Sequence, residues 1–468
     1  MFARGLIAAG MAIILAATAA AETNWPALQL STNDRVMVLA PHPDDEVLGC
    51  GGVIQQAVRL HLPVRVVFLT YGDNNQWSFL YYRKHPVLLP SAVREMGVIR
   101  HDEAEAADMC LGLSSNALTF LGYPDFSTLH IWSQHWAAEP PHRAMLTRVD
   151  AVPYATAFRP GAPHKGEAIL ADLESVIKEF RPTAVFVTHP ADANPDHRAF
   201  YLFARVALWD LEPDLRPRLY CYLIHYGTWP QPRGLDTSAG LGPPAEMEAD
   251  VAWQTFALPP DDVVRKKAAL LLHHTQYESA SAYLATFVRT NELFGDFAEV
   301  PLRDLSVSNT LSTGRSAPPP SGAGELTEEE AAAFVGIETR TVCREGDELV
   351  LTHTFSRPLG KAVEAGIHVF GYRSDRPFKD MPKLHISVSA VGHSIYDQDT
   401  LLPLKTLEVI RQAREIEVRI PLSALGDPER ILTSARTYLG EVPLDWVSWR
   451  VLDVRPKVAP GTPAVRKP

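Results

Sequence analysis

The sequence predicts an α/β protein, with a mostly parallel sheet flanked by helices, that carries a smaller all-β sandwich domain at its C-terminus. Between residues 35 and 297, short apolar runs alternate with helix-like stretches, which is typical of strands joined by crossover helices. A Pro-, Gly- and Ser-rich stretch follows, and beyond it apolar residues recur with a period of two. At 468 residues the chain is longer than single cores usually grow, so at least two domains are expected.

The first domain is predicted to contain five strands and five helices. Short apolar runs that predict strands occupy residues 35–40, 64–70, 118–121, 183–188 and 218–225. Stretches with the length and pattern of helices occupy residues 51–60, 91–111, 166–180, 196–209 and 261–277. Because strands and helices alternate along the chain, a layered α/β domain is expected.

The C-terminal part is predicted to be a linker, a sandwich and a tail. Residues 309–327 include three consecutive prolines and a Ser-Gly-Ala-Gly run, a composition that buries little and breaks regular structure. Residues 328–455 show alternating apolar positions, as at Ile416 and Val418, which favours a β-sandwich. Residues 456–468 are Pro-rich and are predicted to fray.

The N-terminus resembles a secretory signal peptide over residues 1–21, which places the first domain at residues 22–308. Arg4 supplies a positive start, an apolar run follows, and three alanines form a cleavage site before Glu22. The apolar run is shorter than the roughly 20 residues that span a bilayer. We therefore expect an exported chain, periplasmic or secreted after cleavage, with no membrane span in its mature form.

Charge and cysteine content exclude several classes of partner and site. The formal net charge of −11 argues against nucleic acid or anionic lipid as a partner. The four cysteines are widely spaced and form no CxxC pair, so free buried thiols are expected rather than a disulfide framework or a thiolate metal site.

The first group of chemically useful residues follows the first predicted strand. His42, Asp44, Asp45 and Glu46 stand in a Pro-stiffened loop, and a Gly-Cys-Gly-Gly run comes after them. Ligands of open parallel sheets bind beyond the carboxyl ends of the strands, which is where this loop lies. An imidazole and carboxylates this close together can bind a cation and activate water. Each residue alone could equally be a polar loop residue or a helix cap.

A second group follows the fourth predicted strand at the same edge of the sheet, in the run from His189 to His197. His197 is therefore expected to meet His42 and Asp45 in space. Two nitrogens and one oxygen leave an open position on zinc, as in catalytic sites. Such a metal lowers the pKa of bound water and polarises a carbonyl, and Asp44 is left to act as the base.

Together the two motifs, Pro-His-Pro-Asp-Asp-Glu and Asn-Pro-Asp-His-Arg, resemble those of the LmbE-like or PIG-L family of zinc deacetylases. The resemblance covers roughly residues 35–297 and implies a Rossmann-like fold and removal of acetyl from N-acetylglucosamine units. It implies that His42, Asp45 and His197 bind one Zn²⁺, or another divalent transition metal, per chain. Asp44 would take the proton from metal-bound water. Arg100 and Glu103, and a later His-x-x-Gln, are weaker matches.

Asn194 departs from the family pattern, which has a histidine at that position of the second motif. Asn can donate a hydrogen bond to a developing oxyanion but cannot transfer a proton near neutral pH. The acid role would then fall to Asp44 or to another histidine at a strand end, such as His189 or His225.

Two aromatic stretches suggest how substrate is held. Loop residues 71–90, with Trp77 and other aromatics, and residues 130–142 are predicted either to form a substrate rim or to pack as satellite cores. The sandwich resembles carbohydrate-binding domains weakly. Its sugar site would use Trp446, Trp449, Tyr372 and Tyr396, although alternation favours a core position for Trp449.

The sequence therefore predicts an exported, metal-dependent N-deacetylase whose substrate is an amino-sugar glycan or glycoconjugate. The alternatives are an O-acyl esterase, since the same hydroxide would serve, and a catalytically weak glycan-binding protein of the same fold. Retention of Asp44 favours catalysis, because binding alone needs no base. A Rossmann dehydrogenase is excluded, since the glycine run from Gly49 to Gly52 is not GxGxxG.

Overall fold

A computed structural model of the protein describes residues 25–75, 89–137, 140–212, 214–302, 308–314 and 326–455. The predicted signal peptide and tail lie outside these ranges, as does most of the predicted linker.

The N-terminal region is built on a five-stranded parallel sheet. Its strands are β1 (Val36–Ala40), β2 (Val64–Thr70), β3 (Leu118–Tyr123), β4 (Ala184–Thr188) and β5 (Arg218–Tyr222). They lie in the order β3-β2-β1-β4-β5, and each neighbouring pair is parallel. Each strand coincides with a predicted one, and the predicted α/β class is confirmed.

The strand order places a switch point between β1 and β4. From β1 the chain moves outward through β2 to β3, and it then returns to the other side of β1 for β4 and β5. Crevices open at the carboxyl ends of strands where the order reverses in this way, and ligands bind there. Both sequence motifs leave the sheet at this point, one after β1 and one after β4.

Seven described helices accompany this sheet. They are α1 (Asp45–Arg59), α2 (Pro90–Leu111), α3 (Thr128–Gln134), α4 (Gly166–Phe180), α5 (Pro195–Asp210), α6 (Pro260–Leu270) and α7 (His274–Leu284). The helix predicted at 261–277 is two helices, interrupted at residues 271–273. The sequence did not predict α3, because seven residues are too few for a helical period to show. A small antiparallel hairpin joins β6 (Gln254–Ala257) and β7 (Asn291–Phe294).

The glycines after the first motif serve packing. α1 lies close to the sheet at Gly49, where a Cβ would approach a ring carbon of Tyr222 to 2.3 Å. At Gly52 a Cβ would come within 2.6 Å of Leu258. The glycine run therefore lets the helix approach its neighbours. This close packing accounts for the glycines without a bound dinucleotide.

The C-terminal region is two facing sheets with a short helix, α8 (Glu328–Ala333). In chain order the strands are β8 (Val300–Pro301), β9 (Asn309–Thr310), β10 (Ile337–Glu345), β11 (Glu348–Phe355), β12 (Val363–Tyr372), β13 (Lys383–Val388), β14 (His393–Asp397), β15 (Thr400–Leu401), β16 (Glu408–Arg411), β17 (Glu415–Pro421), β18 (Arg430–Leu439) and β19 (Val442–Asp453). One sheet has the order β16-β17-β11-β10-β9 and the other β15-β14-β13-β12-β18-β19-β8. The predicted sandwich is present.

The sandwich takes strands from beyond its predicted start at residue 328. β8 lies within the predicted first domain but pairs with β19, and β9 lies at the start of the predicted linker but pairs with β10. Leu311, next to β9, is buried in the sandwich core. Two-residue strands carry too little periodicity to be recognised in a sequence.

A continuous apolar core joins the two domains. Trp132 and Trp136 of the α3 region are fully buried. The Trp132 ring lies 5.4 Å from that of Phe378 and 6.4 Å from that of Trp449, both in the sandwich. The hydroxyl of Tyr372 donates to Asp210 at 2.9 Å across the same junction. Burial of large aromatic rings stabilises such contacts, so the two domains meet in a packed interface rather than at a mobile hinge.

None of the described helices combines the length and the apolar character that crossing a bilayer would require.

Candidate metal-binding active site

The structure brings His42, Asp45 and His197 together at the switch point. His42 Nδ1 lies 3.2 Å from Asp45 Oδ2 and 3.2 Å from His197 Nε2, and His197 Nε2 lies 3.1 Å from Asp45 Oδ2. All three residues are buried. The three atoms thus form a nearly equilateral triangle, although His42 and His197 are far apart in sequence.

This triangle fits a transition-metal ion. Tetrahedral zinc with bonds of about 2.0–2.1 Å holds its ligand atoms roughly 3.3 Å apart, close to the three observed separations. The donor set of two imidazoles and one carboxylate is one that zinc uses in catalytic sites. His42 and Asp45 also line a cavity, so a metal held here would be accessible to a ligand.

Asp192 supports the His197 imidazole from behind. Its Oδ2 lies 3.0 Å from His197 Nδ1 and also accepts the backbone N–H groups of Ile224 and His225 at 3.0 and 2.9 Å. Burial opposes protonation of His197, but the carboxylates of Asp192 and Asp45 outweigh it and raise its pKa to about 9. A carboxylate behind a histidine fixes the ring and raises its basicity as a ligand.

His42 has the same kind of support on its other nitrogen. His42 Nε2 lies 3.1 Å from Asp125 Oδ1 and 3.3 Å from Asp196 Oδ2. This leaves Nδ1 to face Asp45 and His197. Despite burial, the carboxylates of Asp125, Asp196 and Asp45 hold the pKa of His42 well above its usual value. The negative surroundings that would draw protons to both rings equally favour a cation between them.

Asp44 is held beside the ligands in a strained backbone conformation. Its φ of 133° lies in the region that costs a residue other than glycine about 1–3 kcal/mol. The backbone N–H of Asp44 donates to Glu46 Oε2 at 2.9 Å, and Glu46 Oε1 lies 3.1 Å from His273 Nε2. Asp44 precedes α1 but makes no capping hydrogen bond with its side chain. The strain therefore directs a carboxylate to the cavity instead of to the helix end.

The charge state of Asp44 is balanced by its neighbours. Burial and the Asp45 carboxylate raise the pKa of Asp44 to about 7, while Arg100 acts in the opposite direction. Arg100 Nη2 lies 3.6 Å from Asp44 Oδ1 and donates to the carbonyl of Pro43 at 2.7 Å. Arg100, predicted as a weaker family match, thus fixes the first loop and its carboxylate.

Asn194 lies at the cavity but also has a structural task. Its Oδ1 accepts the backbone N–H of Asp196 at 2.9 Å and so caps α5. The predicted oxyanion role would have to use the amide nitrogen.

The two other histidines proposed as acids differ. His225 lines the cavity, with its ring 4.9 Å from that of His197 and its Nδ1 3.2 Å from the Tyr283 hydroxyl. His189 is fully buried, accepts a backbone N–H and lies against Trp253 and Phe297. Because it does not line the cavity, His189 is excluded as a proton donor there.

A cavity of about 230 Å³ opens over the ligands. Asp44, Asn194 and His225 line it, together with Phe126 and Gln276 from neighbouring segments. Phe126 is 51% exposed and has a φ of 57°, so a large aromatic ring stands in solvent at the cavity wall. Gln276 accepts a hydrogen bond from Asn75 at 2.7 Å.

Of the two aromatic stretches predicted either to form a substrate rim or to pack as satellite cores, the structure describes mainly the second. Residues 76–88, which include Trp77, lie outside the described residues. Within 130–142, Trp132 and Trp136 belong to the domain junction, so the satellite-core alternative is correct for them. Trp449 and Tyr372 of the sandwich are buried in the same junction and cannot line a sugar site. These four rings pack between the two domains, and the sequence does not reveal that the domains meet there.

Sequence reasoning missed several residues of the site. Asp125 follows β3 at the edge where the motifs lie, and that position was the available signal. Asp192 was within the second motif but had no role assigned to it. His273 begins the His-x-x-Gln match, and its pairing with Glu46 across 227 positions left no local trace.

The fold and the site define an α/β domain with a candidate three-ligand metal site at the switch point of a parallel sheet. The sequence profile of one family, described as PIG-L: GlcNAc-PI de-N-acetylase, matches residues 37–208. The chain therefore contains a PIG-L family domain over these residues, as its motifs predicted.

Individual relatives cover part of the chain. A 1D-myo-inositol 2-acetamido-2-deoxy-alpha-D-glucopyranoside deacetylase from Mycobacterium sp. (strain KMS) is 31% identical over 166 residues, 35% of this chain and 46% of the relative. The chain thus spans about half the length of the curated relatives it matches.

Solved structures show partial similarity as well. N,N'-diacetylchitobiose deacetylase from Pyrococcus horikoshii has a TM-score of 0.35 at 20% identity, covering 56% of this chain and 82% of that one. A deacetylase–teicoplanin complex has a TM-score of 0.33 at 17% identity, covering 56% and 96%. Scores this low set no constraint on substrate or mechanism.

Proposed function

We propose that this chain is a metal-dependent hydrolase that removes the acetyl group from an N-acetylglucosamine-type unit of a glycan or glycoconjugate. The observation that carries the proposal is the Asp44 carboxylate, which lies beside the His42, Asp45 and His197 triangle and lines the cavity over it. The description of the family profile and the printed name of the mycobacterial relative both support an N-acetyl amino sugar as substrate.

The proposed cofactor is one Zn²⁺, or another divalent transition metal, at this triangle. When bound there, the ion would polarise the acyl carbonyl and lower the pKa of water. The chain's own part is to orient the two histidine ligands, His197 through Asp192 and His42 through the carboxylates of Asp125 and Asp196. A carboxylate behind a metal-ligating histidine fixes the orientation of the ring.

Asp44 is the proposed general base. Its carboxylate lines the cavity next to Asp45, and Arg100 at 3.6 Å favours the ionised form that accepts a proton. Positioned bases of this kind contribute about 10²–10⁴-fold to a hydrolysis. The pKa of about 7 for Asp44 lies close to neutral pH, where a group can both take and return a proton.

The departing amine needs a proton, and two groups can deliver it. Asp44 can return the proton that it accepted. His225 also faces the cavity, and burial lowers its pKa to about 4, so its ring is neutral at pH 7 and donates poorly. We therefore assign the acid role to Asp44, and to Asn194 a hydrogen bond to the oxyanion from its amide nitrogen.

Substrate would enter past Phe126. An exposed aromatic ring beside polar side chains suits the apolar face of a sugar, and Gln276 and Asn194 supply hydrogen-bonding groups on the same cavity. Ligand sites commonly combine an aromatic wall with a few polar groups in this way.

We further propose that the chain is exported and acts in the periplasm or outside the cell. The support is the signal-like pattern of residues 1–21, with a positive start, an apolar run and small residues at the end. An extracytoplasmic site agrees with a glycan or glycoconjugate as substrate.

The test is acetate release from a panel of N-acetylglucosamine compounds by zinc-loaded protein. Asp44→Asn keeps the side-chain shape but removes the base, and Asp347→Asn, on a 98% exposed side chain of the sandwich, is the matched control. Release by the parent and the control, with near silence from Asp44→Asn at equal metal content, supports the proposal. No release by metal-loaded parent from any N-acetyl compound refutes it, and release from O-acetyl compounds alone would identify an esterase.

A further inference from the structure

A second group of histidines lies outside the proposed active site. His130 on α3, His135 at its C-terminal end and His142 in the following segment converge on one point, and they are called here the trihistidine cluster. We propose that this cluster binds a second transition-metal ion of the zinc, copper or nickel type. It shares no residue with the His42, Asp45 and His197 triangle.

The arrangement of the rings is that of imidazoles around one ion. The ring centroids are 4.9 Å apart for His130 and His135, 5.0 Å for His130 and His142, and 5.3 Å for His135 and His142. Three imidazoles on a tetrahedral ion with bonds of about 2.0–2.1 Å have their centroids roughly 5 Å apart. The nitrogens agree, since His130 Nε2 and His135 Nε2 lie 3.2 Å apart.

Within the described part of the chain, one ring nitrogen of His142 has no hydrogen-bond partner, and the other two rings of the cluster share one hydrogen bond. His142 Nε2 is buried and has no hydrogen-bond partner among the described residues. The close pair of His130 Nε2 and His135 Nε2 needs one of the two nitrogens to be an acceptor, and no carboxylate ligand bridges them as Asp45 bridges the first site. A cation at their common centre would satisfy all three nitrogens.

The backbone fixes the cluster in place. His142 donates its N–H to the carbonyl of His164 at 3.1 Å, and His164 Nδ1 lies 3.2 Å from the carbonyl of His142. α3 is anchored at its start, where the backbone N–H and hydroxyl of Thr128 both donate to Asp196. Trp132 and Trp136, buried in the domain junction, secure the same segment at its other end.

The donor set indicates which ions fit. Three neutral imidazole nitrogens suit zinc, copper or nickel and offer nothing to calcium or magnesium, which prefer oxygen. The carboxylate of Asp399, in the turn before β15, lies near enough to act on His130 and His135 electrostatically. Asp399 supplies a negative charge beside the trihistidine cluster without being one of its three residues, and Arg436 acts on His130 in the opposite direction.

The ion would tie α3 and the segment after it into one unit. Trp132 and Trp136 lie between and beside the three ligands in sequence, so the ion would hold in place the segment that joins the domains. This is a structural role, and it is separate from the proposed chemistry.

The experiment counts zinc in untagged full-length protein, stripped with a chelator, reloaded and passed through gel filtration. Wild type is expected to hold two ions per chain and His130→Gln one. His130 is exposed, so its substitution should not prevent folding. His393→Gln, a partly exposed histidine of the sandwich, is the matched control and should keep two.

A second variant isolates the trihistidine cluster from the first metal site. His42→Ala/His197→Ala removes the first site and should still hold one ion, and with Co²⁺ it should show visible absorption that disappears when His130→Gln is added. No ion in the His42→Ala/His197→Ala variant, or equal ion counts in wild type and His130→Gln, would overturn the proposal. Since the readout is ion content, failure of the deacetylase assay leaves this result intact.

Discussion

The two histidine clusters of this chain use the same side chain in opposite electrostatic surroundings. At the switch point, His42 and His197 each contact carboxylates on both sides, and their pKa values are raised. In the trihistidine cluster, burial and neighbouring histidines lower the pKa of His142 to about 4. The difference teaches that the supporting carboxylates, not the histidines, distinguish the proposed active site from the trihistidine cluster.

The two clusters also differ in their burial and in the contacts that hold their rings. The first triangle is fully buried beneath a cavity, with each ring fixed by a second contact. The trihistidine cluster is partly exposed, and its rings are placed by backbone and packing. A catalytic site needs side chains that are held rigidly by further contacts. A metal site that only links two segments of the chain can use rings that are placed by the backbone alone.

The largest effect should come from Asp44→Asn, because it removes the proposed base while leaving both clusters unchanged. Deacetylase kcat should fall about 10²–10⁴-fold with zinc content unaltered. Steady-state kinetics beside metal analysis checks this. A fall in bound zinc equal to the fall in rate would instead place Asp44 among the ligands.

His273→Gln tests how much the pair of His273 and Glu46, beside the proposed active site, stabilises the fold. Burial opposes protonation of His273, but Glu46 outweighs it and raises the pKa. The pair should therefore stabilise the fold fully below about pH 6.5, the unfolded value, and lose this stabilisation as pH rises through the higher folded pKa.

Denaturant unfolding of wild type and His273→Gln at several pH values measures this. The difference in free energy of unfolding should reach about 3 kcal/mol at the acidic end, because a buried pair is broken, and should narrow as pH rises. His353→Gln is the comparison variant, at a buried histidine whose pKa burial lowers to about 3. Because its folded pKa lies below the unfolded value, wild type should instead gain stability relative to this variant as pH rises to about 6.5. A constant difference for His273→Gln would contradict the pairing.

Asp192→Asn should weaken metal binding at the first triangle alone. Removing a carboxylate behind a metal-ligating histidine typically costs about 10–100-fold in affinity. Competition with a zinc chelator measures it, with the trihistidine cluster of the same protein as the internal reference. Equal weakening of both ions would show that the substitution acts through the fold.

The smallest effect is expected at Asp399, which acts on the trihistidine cluster only through space. Asp399→Asn should reduce affinity for the second ion by a few-fold at low salt, and less at high salt, because solvent-exposed charges are screened. Zinc titration of the His42→Ala/His197→Ala variant at two ionic strengths isolates this ion. A large loss that salt does not change would make Asp399 a direct ligand.

Much of the fold and the ligand triangle could be predicted because their signals are local. Each strand of the parallel sheet is a mostly apolar run, and both motifs follow a strand. The roles of Asp125 and Asp192 could not be predicted, since they depend on which strand ends meet. Trp132 and Trp136 could not be placed either, because exposed loops and buried junctions have the same sequence signature until the second domain is in position.

The positions of the ligands along the chain have a consequence for folding. His42 and His197 are 155 residues apart, whereas His130 and His135 are five apart. A pair so distant forms only when the sheet has assembled, so an ion there would bind the native state almost exclusively and its binding energy would add to stability. The trihistidine ligands remain near one another even in the unfolded chain. An ion held there would bind both states, shorten one loop early in folding, and raise the melting temperature far less.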